Sequence, residues 1–315
     1  GKFAQLPDNA LNYAYHLDSS RYAKFLRKIA EDNGAVRKEG KIDHVSLEPE
    51  SGHISALKLE SGEMIEADFF IDCTGFRSIL MGQALHVGYD DWSHYLPCDA
   101  AVAIQTKSVE PPKPYTRAIA HDAGWQWRIP LQHRTGNGLV YCSRYLSKDE
   151  AADRLLRNVE GEHITDPLHI RFQTGARRKQ WHKNCVALGL SSGFMEPLES
   201  TSIHLINTGI NKLVSLLSLD GITKAQEDAF NRLSGKEYER IRDFLILHYH
   251  QTSRDDSEFW NYCRTMSVPD SLTEKMELFR TNGQIFREDD ELFTETSWAA
   301  VMMGQGIEMQ GHNAM

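Results

Sequence analysis

The chain has little that would cross-link it or carry it into a membrane. Its five cysteines, Cys73, Cys98, Cys142, Cys185 and Cys263, are odd in number and far apart. No two form a Cys-x-x-Cys pair, so neither a zinc ribbon nor a disulfide ladder is expected, and reduced thiols in a cytoplasm are the simplest reading. No run reaches the ~18 consecutive apolar residues that a membrane span needs. Lys and Arg number 35 against 44 Asp and Glu, a net charge of −9, and no basic cluster offsets it. That balance argues against nucleic acid or an anionic membrane surface as partner. A Gly-x-Gly-x-x-Gly turn is also missing. The 315 residues suffice for one large domain or two modest ones.

The pattern that is present mixes helices and strands. Asp18-Ser19-Ser20 predicts the cap of a helix whose apolar face is Tyr22, Phe25, Leu26 and Ile29, stopping at Gly34. Alternating runs at Val36, 42–45, 54–59 and 64–71 follow, with turns at Ser51-Gly52 and Ser61-Gly62. Residues 67–72 read as a buried strand ending at Cys73-Thr74-Gly75, where small residues let a ligand approach the backbone at a sheet's carboxyl edge. An antiparallel sheet is expected over about 100–145, from strands 101–104, 116–120, 125–131 and 138–145, with Gly136-Asn137-Gly138 as hairpin turn. Ser147 caps a short helix containing Ala151, Leu155 and Leu156, and strands at 169–173 and 185–188 lead to a helix from Thr201 to Leu217. From Ser234 onward the reading is mostly helical, and 304–315 read as a poorly ordered tail.

Three constellations could carry chemistry. Trp125-Gln126-Trp127-Arg128-Ile129-Pro130 puts two indoles on one side of a strand, where they wall off a flat cofactor or simply fill a core. Gly189-Leu190-Ser191-Ser192-Gly193 leads into Glu196-Pro197-Leu198-Glu199-Ser200-Thr201-Ser202-Ile203, a strand exit and helix start. The N–H groups of such a start favour an anion or the electron-rich edge of a reduced flavin, Thr201 adds a hydroxyl, and Glu199 is placed to accept a proton. The plainer reading makes Ser200 or Thr201 an N-cap and Glu196 and Glu199 first-turn acids. Lastly, His248-Tyr249-His250, Asp255-Asp256 and Phe259-Trp260 could stack on a flat nitrogen-containing aromatic, or form an aromatic core with surface acids. No third ligand accompanies His248 and His250 at a convincing spacing, so no metal site is expected.

Taken together, these segments resemble the flavin-dependent halogenases, in the branch that includes the tryptophan halogenases. Trp125 to Pro130 is similar to that family's Trp-x-Trp-x-Ile-Pro signature, and Glu196 to Thr201 to its Glu-Pro-Leu-Glu-Ser-Thr segment. Tyr13-Ala14-Tyr15-His16-Leu17-Asp18 and Phe70-Ile71-Asp72 also fit, and the likeness runs from about Tyr13 to Trp260 and beyond. The resemblance implies an α+β / α/β fold: a flavin-monooxygenase-like (glutathione-reductase-type) FAD domain, incomplete at its N-terminus, with an antiparallel sheet and a helical C-terminal substrate region. Residues 1–233 would form the partial FAD-binding and halide-site domain, and 234–315 the substrate-binding region with a flexible tail.

The implied activity is halogenation of an electron-rich aromatic, such as an indole or tryptophan-like compound, with FAD as FADH2, oxygen and chloride or bromide. A separate flavin reductase supplies FADH2, hypohalous acid forms at the flavin, and a lysine delivers it to the arene; a homodimer is an admitted assembly. By position the resemblance makes Glu199 the catalytic glutamate and gives the halide to Thr201 and the Ser202 N–H. Leu190 and Ile203, with Gly75, would meet the flavin; Trp125 and Trp127 would wall it off. His248, Tyr249, Asp255, Phe259 and Trp260 would line the substrate pocket. Ser202 stands where the tryptophan enzymes have glycine, and His248 and Asp255 stand where they have tyrosine and glutamate. Those replacements leave the substrate open between free tryptophan and another indole or electron-rich arene. The glycine turn and the lysine belong ahead of this stretch in the family, so the chain is expected to be a piece that by itself binds FAD weakly and halogenates nothing. A hydroxylating flavin monooxygenase and a non-catalytic aromatic-binding protein of the same fold are the alternatives.

Overall fold

The computed structural model describes residues 14–218, 221–288 and 291–311; Tyr13 of the matched motif and residues 312–315 of the expected tail lie outside these. Helix α1 (Ser19–Asp32) forms where its cap predicts. The Asp18 carboxylate accepts the N–H groups of Ser20 at 3.0 Å and Arg21 at 3.2 Å. Ion pairs four residues apart, Arg27–Glu31 and Lys28–Asp32, reinforce it, and Gly34 ends it at φ +95°. Its predicted apolar face is not covered: Tyr22, Phe25, Leu26 and Ile29 are all exposed. What ties this segment down is polar, through His16 to the Pro130 carbonyl and Asp18 to His133 and Arg134.

Strands β1 (Ile42–Leu47), β2 (Ile54–Leu59) and β3 (Met64–Glu66) form an antiparallel sheet in that order, with the expected turns at Gly52 and Gly62. β4 (Phe70–Asp72) and β5 (Tyr89–Asp91) follow and belong to other sheets. The central feature is a five-stranded antiparallel sheet. It is built from β6 (Ala100–Thr106), β7 (Arg117–His121), β8 (Gly124–Pro130), β9 (Thr135–Tyr141) and β10 (Leu168–Arg171), in the order β10-β6-β9-β8-β7. Between β9 and β10 lies α2 (Lys148–Asn158), closed by a reciprocal capping box of Ser147 and Glu150. Alternation along these strands feeds two cores. Ala100, Val102, Ile104, Leu139 and Tyr141 pack with α2, while Ala101, Trp125 and Val140 face the C-terminal helices. Four short strands complete the β content of the described residues: β11 (Gly175–Arg177) between β5 and β14 (Gly193–Phe194), and β12 (Trp181–His182) beside β13 (Cys185–Ala187), which pairs with β4.

Gly136-Asn137-Gly138 is not the hairpin turn expected of it. All three residues lie inside β9, and the chain reverses at 131–134, closed by Leu131 N–H to the Arg134 carbonyl at 2.8 Å. The glycine is there for space: a Cβ on Gly138 would sit 1.9 Å from Cζ2 of Trp127. Gly138→Ala should therefore displace the Trp127 ring and cost about 1–3 kcal/mol of stability. Thermal unfolding and the near-ultraviolet circular dichroism of the tryptophans would show both effects.

The helical part comprises α3 (Ser202–Leu216), α4 (Lys224–His250), α5 (Glu258–Thr265), α6 (Asp270–Asn282) and α7 (Glu295–Gly304). α4 runs unbroken through the expected 233/234 division, and one apolar core joins both sides of it, from Trp92 and Trp125 to Phe259, Met276 and Trp298. The described part of the expected loose tail is docked: Ile307 is buried and the Gln310 N–H donates to the Arg280 carbonyl at 2.7 Å. Among the described residues no helix is long and apolar enough to cross a membrane.

Candidate active site

β4 and β13 are parallel, with Phe70 beside Cys185 and Asp72 beside Ala187, so both release their loops at the same carboxyl edge. The buried Asp72 carboxylate organises the first loop. It accepts the Thr74 N–H and hydroxyl at 2.9 and 2.6 Å and the N–H groups of Leu80 and Met81 at 3.1 and 2.8 Å. The second loop is stitched to the first: Ser191 Oγ donates to the Gly75 carbonyl, and Ser78 Oγ to the Ser191 carbonyl, each at 3.2 Å. Gly75 sits at φ +71° and Gly189 at φ +64°, in the left-handed region that favours glycine. Phe76 and Leu190 project from the two loops into solvent, and α3, which packs on the second loop, exposes Ile203. An apolar ledge around a left-handed glycine, at the carboxyl edge of parallel strands, suits a flat ring system.

Glu196 to Thr201 connects this ledge to the helical core. Pro197–Glu199 makes one 3-10 turn, Ser200 reverses the chain in the left-handed region at φ 55°, and α3 starts at Ser202. Thr201 is buried and stands at the N-cap, as the plain reading expects, but its side chain makes no capping hydrogen bond. The first-turn N–H groups of α3 lack a side-chain acceptor from the cap.

The two carboxylates of the segment meet neighbouring residues of α4. Glu199 Oε1 lies 2.9 Å from His248 Nε2, and the other ring nitrogen of His248 is 2.8 Å from the Phe244 carbonyl. Glu196 is buried. Its Oε2 accepts Trp125 Nε1–H at 2.9 Å and the Tyr249 hydroxyl, while Oε1 has no partner among the described residues. Burial pushes its carboxyl up to about 7, against the pull of the Tyr249 and Trp125 hydrogen bonds. Burial also pushes the Tyr249 phenol well up, with Cys98 and Glu196 adding to it. Sequence reasoning took Glu196 for a first-turn acid. The one hint otherwise was the apolar run before it, Gly193-Phe194-Met195, which the structure largely buries.

Trp125 and Trp127 do project from one face of β8, with ring centroids 6.1 Å apart at 57°. Trp125 is in the core with its N–H engaged, and Trp127 is half-buried against Gly138. The residues expected around a substrate are divided. His248 joins Glu199, whereas Tyr249, Phe259 and Trp260 form one buried aromatic cluster. Trp260 stacks on Tyr249 with centroids 5.9 Å apart, donates Nε1–H to the His121 carbonyl at 2.7 Å, and lies under the Arg254 guanidinium. Asp255 is exposed on the loop between α4 and α5.

The sequence model of one family, described as tryptophan halogenase, matches residues 1–315. The chain belongs to the tryptophan halogenase family. Its fold is α+β and that of the flavin-dependent halogenases. The solved structure of Xcc4156, a flavin-dependent halogenase from Xanthomonas campestris, superposes with a TM-score of 0.96 at 51% identity, over 99% of this chain and 63% of that one. Among curated relatives, the tryptophan 7-halogenase KtzQ of Kutzneria sp. is 38% identical over 274 residues, 85% of this chain and 51% of that protein. The tryptophan 6-halogenase ThaL of Streptomyces albogriseolus is also 38% identical, over 95% of this chain and 60% of that protein. The chain thus spans between half and two thirds of these relatives' length.

Proposed function

We propose that the chain provides the halide and arene sides of a flavin-dependent halogenase acting on tryptophan, another indole or a similarly electron-rich aromatic. The observation that carries this is the turn at 196–203. Within it are a carboxylate engaged by α4, a buried hydroxyl at an uncapped helix start, and an apolar residue beside the glycine ledge. The residues fit a flavin: Gly75 allows close backbone approach, and Leu190 and Ile203 offer the apolar contacts. Bound as FADH2, which a separate flavin reductase supplies, the cofactor provides with oxygen and halide the hypohalous oxidant. Thr201 and the Ser202 N–H hold chloride or bromide at the positive end of α3. Trp127, supported from behind by Trp125, keeps the arene off the ledge. Glu199 accepts the proton that leaves the ring. Tyr249, Phe259 and Trp260 act as the packed wall behind the arene.

The test is an assay of this stretch in a form that also carries the family's glycine turn and lysine ahead of it, with flavin reductase, FAD, bromide and either indole or tryptophan, read by mass spectrometry. A brominated product that requires bromide is expected. A hydroxylated product formed without halide would instead identify a monooxygenase, and arene binding indifferent to flavin and halide, without turnover, a binding protein.

A further inference from the structure

α3 carries the halide end of the proposed site, yet its own start does little to fix it. Thr201 makes no capping bond, and the outer face of the helix leaves Ile203, Ile210 and Val214 exposed. Underneath, Gly209 and Leu213 are buried, and a Cβ on Gly209 would lie 2.7 Å from Leu188 Cδ2, just before the Gly189 ledge. Such an apolar seam is non-directional and leaves a helix free to roll or slide along it. A polar seam toward α4 opposes that motion. His204, Thr208 and Lys212 stand four residues apart, on one face of α3 and in successive turns, and all three converge on the Glu237 carboxylate.

His204 Nε2 meets Glu237 Oε1 at 3.0 Å, the Thr208 hydroxyl donates to Oε2 at 3.0 Å, and the Lys212 ammonium donates to the same oxygen. Burial raises the Glu237 carboxyl, but the hydrogen bonds from His204 and Lys212 outweigh it and hold it below the usual range. It therefore meets α3 as a carboxylate, which only accepts, and Nε2 is the donor. Only 17% of the Glu237 side chain is exposed, too little for water to take over from three donors. We propose that Glu237 is a positioning residue for halide binding: its three rungs set the roll and height of α3, so that Thr201 and the Ser202 N–H stay aimed at chloride or bromide. The proposal rests on the halogenase reading for its ligand, though not for the clamp itself. His204 lies in the first turn, two residues beyond Ser202, so any slip of the clamp reaches the halide donors at short range. Hydrogen bonds weaken steeply once misaligned, and the attraction of a helix start for an anion falls off within one turn.

Two measurements decide this, both on the form that also carries the glycine turn and lysine expected ahead of this stretch. In the halogenation assay, Glu237→Ala should raise the bromide KM by about tenfold, with a smaller fall in kcat at saturating bromide. Glu237→Gln, whose amide oxygen keeps one acceptor, should fall between Ala and wild type. Thr208→Val and Lys212→Met, which remove one rung each, should raise the bromide KM by about two- to threefold, and they carry the test if Glu237→Ala does not fold. In amide hydrogen exchange, the residues from Leu205 to Lys212 should exchange faster in these variants relative to those of α2, which Glu237 does not touch. A bromide KM that stays at the wild-type value in the variants that fold, or a fall in kcat alone, overturns the proposal. Unchanged relative exchange in α3 overturns the clamp. If wild type yields no halogenated product at all, the halogenase reading fails instead, and the exchange rates still judge the clamp.

Discussion

Replacing Glu199 with glutamine, in a form that also carries the glycine turn and lysine expected ahead of this stretch, should lower arene halogenation by about 100-fold or more while leaving the oxidation of reduced flavin nearly unchanged. The glutamine has the shape of the glutamate and can still face His248, so the turn at 197–199 keeps its geometry. What disappears is a basic oxygen to accept the ring proton. Glu199 is only partly buried and lies outside the glycine ledge, so cofactor chemistry has no reason to sense the change. The decisive measurement is the ratio of halogenated product to flavin oxidised, in a reductase-coupled assay. A parallel fall in both rates would assign Glu199 to the structure of the turn.

Glu196 should make stability depend on pH in the opposite sense from a typical surface acid. Its carboxyl rises from an ordinary 4.5 to about 7 on folding, because burial disfavours the charged form. A raised acid binds its proton more tightly in the folded state, so its contribution to stability is complete below 4.5 and is lost as pH climbs through 7. At 1.36 kcal/mol per unit, the loss is about 3 kcal/mol. Glu196→Gln cannot ionise and still offers Trp125 and Tyr249 an oxygen to bond. Its stability relative to wild type should therefore improve by about 3 kcal/mol between pH 5 and pH 8.5. Urea unfolding of both proteins across that range checks this, and a constant difference would mean that Glu196 is charged throughout.

Much of the local structure was legible because its causes are local. Asp18 and Ser147 announce their helices by side chains that bond the first turn, and β6 to β9 announce themselves by alternation. Gly136-Asn137-Gly138 misled because a glycine pair resembles a turn whether it serves backbone conformation or ring packing. Only the position of Trp127 on the neighbouring strand separates the two. The parallel pair of β4 and β13 was beyond reach as a pairing: each strand has three residues, too few for any period, and the partners are far apart in sequence. The site divides in the same way. Glu199, Thr201 and His248 stood out as chemistry-bearing residues, whereas the partners of Glu196 come from β8 and α4 and no spacing reveals them.

α4 presents His248 and Tyr249 in succession to Glu199 and Glu196, so a single helix sets both acids at once. A helix advances about 100° per residue. Inserting or deleting one residue between the Thr223 cap and His248 would swing imidazole and phenol round together, stranding one acid in the core and unmooring the other. The span of α4 thus behaves as a ruler, and length changes in it should be among the least tolerated in the chain.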